Sequence, residues 1–146
     1  MTASLFPCLA EALATTEIGQ KMALTVALSA DWQAGKLDWR DTAPVELVCG
    51  RPAKPDLVPH KQVQQRNPQT PEGRARLLHA IVHIEFTAIN LALDHAARFR
   101  GMPEQYYADW IGVAAEEAER KKVLDAEAAE ILAFEQKARQ IGRAHV

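Results

Sequence analysis

Apolar and polar residues alternate along most of this chain with a helical period. Leu5 to Ala14 reads as a short helix. A second follows Thr15-Thr16, from about Glu17 to Gln33, with Ile18, Met22 and Val26 on one stripe and the small Thr25 and Ser29 beside them. Gly35 stands where a helix C-terminus favours glycine. Six of the eight prolines then fall between residues 44 and 71, each removing a backbone donor and biasing its predecessor away from helix. Beyond them Thr70-Pro71-Glu72-Gly73 is a helix start, with Thr as N-cap, Pro in the first position and an acid in the first turn. That helix is expected to run to about Arg100, where Gly101 and Pro103 stop it, and the next from Pro103 to about Gln140. No stretch shows the sustained period-2 alternation of a strand and no repeat of solenoid length is present, so the fold class expected is all-α. Four segments result: N-terminal helices over 1–35, a Pro-rich connector over 36–70, a long helical hairpin over 71–140 and a tail over 141–146.

Composition narrows the function classes. The 146 residues suffice for one domain, and 48% hydrophobic with 25% charged residues excludes wholesale disorder. With 17 basic and 19 acidic side chains the net charge is −2, which makes nucleic acid an unexpected partner. Lys21, Glu85 and Asp94 interrupt the longest apolar runs, so no membrane span is expected. The segment Met1-Thr2-Ala3-Ser4-Leu5-Phe6-Pro7 has no basic region ahead of a long apolar stretch, so no secretory signal is expected. Cys8 and Cys49, without a C-x-x-C, give neither a disulfide framework nor a thiolate zinc site, and a cytoplasmic setting is the expectation.

The candidate chemistry rests on two acids. At about 100° per residue, Leu78, Ile81, Val82, Ala88, Ile89, Ala92 and Ala96 lie within about 60° of Glu85. Tyr106, Trp110, Val113, Ala114 and Leu124 lie within about 60° of Glu117. Both carboxylates are thus expected to point inwards. Each is 16 positions from Gly101, which puts them at matching heights on antiparallel helices. A buried carboxylate costs several kcal/mol unless paired or metal-bound. Inward Glu residues with Glu-x-x-His pairs are how helical bundles hold two irons or manganeses, so Glu85 and Glu117 are candidate metal ligands. The structural alternative is pairing with Lys or Arg, or hydrogen bonding to a buried Tyr or Trp. His79 and His83 have the four-residue spacing of a two-His site but point about 120–160° away from Glu85; they are expected to support ligands through hydrogen bonds rather than bind metal. His60 and His95 are expected at the surface. No G-x-G-x-x-G, P-loop or G-x-S-x-G motif is present.

Three stretches together are specific: Leu77 to Phe86 (LLHAIVHIEF), Arg98 to Pro103 (RFRGMP), and Asp109-Trp110 with Ala114 to Ala118 (AAEEA). They resemble the bacterial ferritin-like family catalogued as domain of unknown function 455, as do Trp32 to Arg40 and Thr70 to Arg74. The resemblance covers about residues 9–119. It implies a four-helix bundle with a di-iron carboxylate centre, distantly similar to tRNA-modifying di-iron hydroxylases, with Glu85 as the first helix's ligand and Glu117 as the acid of a Glu-x-x-His. The sequence departs from that pattern at Arg120, where the family pattern expects His; a guanidinium offers no lone pair to a metal. The third and fourth bundle helices are also absent, and Ile141 to Val146 (IGRAHV) resembles one reading frame of a sequencing-library adapter. The expectation is therefore an incomplete ferritin-like bundle. It would be an inactive fragment of a di-iron oxidoreductase, a hydroxylase by analogy, in which iron or manganese is not retained and an exposed apolar seam favours homo-oligomers. An authentic short protein is the other possibility for the chain as a whole. The rival function is a non-catalytic helical interaction module with buried Glu–Arg or Glu–Lys pairs.

Overall fold

The computed structural model describes residues 2–53 and 69–144, apart from the side chains of Ala75, His79, Glu135, Arg143 and Ala144. Its helices are α1 (Leu5–Ala14), α2 (Ile18–Gln33), α3 (Pro71–Arg98) and α4 (Glu104–Ala144), and the architecture is an all-α helical bundle. Two short strands, β1 (Ala3–Ser4) and β2 (Leu37–Asp38), pair in parallel with Ala3 opposite Leu37. Two residues are too few to display an alternating pattern, which is why neither strand is legible in the sequence.

Local chemistry sets the helix ends. The Glu17 carboxylate accepts the backbone N–H groups of Gly19 and Gln20, starting α2. Thr70 Oγ1 accepts the Gly73 N–H at 2.9 Å, starting α3. Gly35 and Gly101 both take φ of +71°, a left-handed conformation that ends the preceding helix. α3 stops at Arg98, two residues before the expected Arg100. α4 continues to Ala144, through Gly142 and into the segment expected to be a tail, because one glycine in a helix costs only about 1 kcal/mol against alanine and does not itself end it.

The chain divides into two compact units. The first comprises Met1–Asp56 and Phe86–Ala118 and holds the main core: Leu5, Phe6, Leu9 and Leu13 of α1, Leu28 of α2, Ile89 and Leu93 of α3, Tyr107 and Ile111 of α4. Phe6 meets Tyr107 edge to face at 5.6 Å, and the Arg100 guanidinium lies 3.6 Å from the centre of the Phe6 ring. Arg100 also donates to the carbonyls of Asp41 (3.0 Å) and Ala43 (2.8 Å), fastening the extended segment after β2 to this unit. By length and composition α3 is apolar enough to cross a membrane, contrary to the expectation from its interrupting acids. Its residues Ile89 to Ala97 supply core to the first unit, and the core helix of a bundle meets the same criterion. The second unit comprises Leu57–Glu85 and Glu119–Val146. Within it Val82, Lys121 and Ala128 are buried, and Glu72 lies 2.5 Å from Arg76 and 4.0 Å from Arg139.

Candidate functional site

The buried stripes run beside those expected from apolar spacing. In α2 the buried face is Lys21, Thr25, Leu28 and Ser29, while Val26 is exposed. In α4 it is Tyr107, Ile111, Ala114, Ala118, Lys121 and Ala128, and Val113 is exposed. An aromatic with a polar tip shifted this face. Tyr107 is fully buried because its hydroxyl donates to the Phe99 carbonyl (2.8 Å) and accepts the Met102 N–H (3.2 Å). On helical phase, Glu117 and Glu85 each sit about 70° from the centre of the buried face of their own helix. Both are accordingly half-buried rather than central.

Glu85 belongs to the second unit and Glu117 to the first. One carboxylate oxygen of Glu85, Oε2, is buried and has no hydrogen-bond partner. Among the described residues no group of three or more His, Cys, Asp or Glu is placed to hold a metal ion. His83 is half-buried, Arg120 is exposed, and His60 and the His79 side chain lie outside the described residues. His95, expected at the surface, is half-buried: its ring stacks on Trp110 at 4.6 Å, and Nδ1 is 2.8 Å from the Leu91 carbonyl. Tyr106 donates to the His95 carbonyl at 2.9 Å.

The strongest polar cluster centres on Lys21, which apolar spacing alone does not reveal. Its side chain is fully buried in the first unit. Nζ donates to the Leu13 carbonyl (2.7 Å), the Gly50 carbonyl (2.8 Å) and Asn90 Oδ1, using all three ammonium protons. Asn90 Nδ2 donates to the Gly50 carbonyl (3.3 Å), and the Gly50 N–H donates to the Leu13 carbonyl (2.8 Å). The Phe86 ring covers the ammonium at 5.2 Å. Burial pulls the Lys21 pKa down from 10.5 to about 8, with Cys49 opposing and Arg51 reinforcing the change. Gly50 is required here by space: a Cβ would stand 2.2 Å from the Ala14 carbonyl oxygen. This cluster ties the end of α1, α2, the segment before residue 50 and α3 together. All three ammonium protons are thereby used on acceptors from three separate segments. The sequence signal for it was the spacing of Lys21, Thr25 and Ser29 on one face, with Thr25 Oγ1 donating to the Lys21 carbonyl at 2.8 Å.

Among the described residues, then, this helical protein buries two ammonium groups, Lys21 and Lys121, and one unpartnered carboxylate oxygen, Glu85 Oε2. The chain belongs to the family of proteins of unknown function DUF455, whose model matches residues 14–133. Over 88 residues it is 44% identical to an uncharacterised protein of Haemophilus influenzae, taking in 56% of this chain and 31% of that protein. The chain thus spans about a third of the length of the curated relative it matches. No solved structure matches it.

Proposed function

We propose that this chain is one part of a ferritin-like carboxylate metal centre, with Glu85 as a donor and Glu117 as the second acid, and that the complete assembly is an oxidoreductase of the di-iron type. The observation that carries this reading is the buried Glu85 Oε2 without a hydrogen-bond partner. Such an oxygen needs a proton, a cation or a donor to offset its desolvation, and a hard metal ion would meet that need.

The residues of this chain do not fit a di-iron group unaided. Two carboxylates are fewer than the four acids and two imidazoles such bundles use. Arg120 stands where the resemblance expects His, and no described trio of ligands exists. The chain by itself is expected to be inactive, with the remaining donors coming from a second copy or from the further sequence of longer relatives. An alternative, a non-catalytic helical interaction module with its ions paired internally, is favoured by Lys121, whose buried ammonium holds Asp125 at 2.6 Å.

Anaerobic titration of the 146-residue chain with Fe(II) and Mn(II), followed by calorimetry, tests the proposal. Weak binding that is lost in Glu85→Gln and reduced in Glu117→Gln is the expected result. Binding indifferent to both substitutions, or none at all, would favour the interaction module. Tight stoichiometric binding by a proven monomer would overturn the incompleteness of the site.

A further inference from the structure

The part of α4 in the second unit has two distinct faces. Lys121 and Ala128 are buried, and the positions about 200° around the helix from them are Val123 and Glu130. Along that opposite face run Val123, Glu127, Glu130, Phe134, Lys137 and Ile141, every one exposed. Val123, Phe134 and Ile141 are 57%, 73% and 53% exposed, a costly display for large apolar side chains on one line. The positions step alternately by four and three, the 3.5-residue repeat of a coiled-coil seam.

We propose that this seam is a self-association surface on which a second copy of the chain lays its own α4 antiparallel. Charge complementarity decides both occupant and direction. In a parallel, in-register pair each position meets itself, stacking Glu127, Glu130 and Lys137 on their like-charged copies. In the antiparallel pair whose two-fold axis crosses the seam at the height of residue 132, every seam position meets a seam position. Val123 then packs on Ile141 of the other copy, Glu127 faces Lys137, and Phe134 lies along the methylenes of Glu130, whose carboxylate stays in water. Each of these layers occurs twice, as an isologous interface requires. The apolar layers close both ends and the ion pairs lie between them. The seam is only about 27 Å long at 1.5 Å per residue, so the dimer is weak, and its exposed ion pairs make it salt-sensitive.

Sedimentation equilibrium of the 146-residue chain, over a concentration series at low and high salt, is the first measurement. A monomer–dimer equilibrium that weakens with salt is expected. Glu127→Lys or Lys137→Glu alone turns both ion-pair layers into like-charge contacts and weakens the dimer about tenfold. The double reversal restores it, because the pairs have only exchanged sides. With Cys8 and Cys49 replaced by Ser, a Val123→Cys chain mixed with an Ile141→Cys chain cross-links, whereas neither does so alone. A chain that stays monomeric at millimolar concentration leaves the face to some other occupant and overturns the proposal. So does a dimer indifferent to the single reversals, or self-cross-linking by the Val123→Cys chain.

Discussion

Replacing Lys21 by Met keeps an unbranched side chain of similar length while removing the ammonium at the centre of the first unit. Two opposing effects decide the outcome at neutral pH. A fall in pKa from 10.5 to about 8 corresponds to about 3 kcal/mol spent on holding the charge away from water, which Met does not incur. Met in turn loses the amine's hydrogen bonds, about 1 kcal/mol each, and deprives the buried Asn90 Oδ1 of its Lys donor at a further cost of about 1–3 kcal/mol. The Leu13 and Gly50 carbonyls are spared, since the Gly50 N–H and Asn90 Nδ2 still donate to them. Near pH 7 the variant is therefore less stable by about 1–3 kcal/mol.

Raising the pH separates the two proteins. Between about 8 and 10.5 the folded wild type has released the Lys21 proton while the unfolded chain still binds it, so unfolding takes up a proton and wild-type stability rises with pH. The penalty is fully present below the folded pKa and is relieved above the unfolded one. The Met variant has no such group, and the remaining titrating groups are common to both proteins. The stability gap should therefore widen by up to about 3 kcal/mol as the pH climbs from about 7 towards 10.5. Urea unfolding followed by far-ultraviolet circular dichroism, run on both proteins at each pH, measures this difference directly. A gap that stays constant or narrows with rising pH would refute the assignment of Lys21 as a buried, desolvated ammonium.

Two further substitutions probe the same unit. Gly50→Ala forces a Cβ to within 2.2 Å of the Ala14 carbonyl oxygen, so the backbone must shift; a loss of about 1–3 kcal/mol is expected in urea unfolding, together with a loosened Lys21 cluster seen as faster amide exchange at residue 50. Tyr107→Phe keeps the ring against Phe6 but removes the bonds to Phe99 and Met102 at the turn between α3 and α4. A loss of about 1–2 kcal/mol is expected, read from the thermal midpoint, with helix content unchanged.

Features set by a few neighbouring residues were legible in the sequence. Thr70-Pro71 starts α3, Gly35 and Gly101 take left-handed backbone, and the all-α class follows from periodicity, because caps and turns are satisfied within a handful of positions. The inward lean of Glu85 and Glu117 was visible in helical phase, but their half-buried margins depend on which neighbouring residue anchors the core. In α4 that anchor is Tyr107, whose hydroxyl finds the Phe99 and Met102 backbone only once the turn has closed. Lys21 shows the limit most clearly: by sequence it interrupts an apolar helix and belongs in water. Its acceptors lie 8, 29 and 69 positions away at Leu13, Gly50 and Asn90, and only tertiary packing brings them within reach of one ammonium. Local pattern fixes where helices form, whereas burial of a charge is decided by partners distant along the chain, because desolvation is tolerated only where every proton is met.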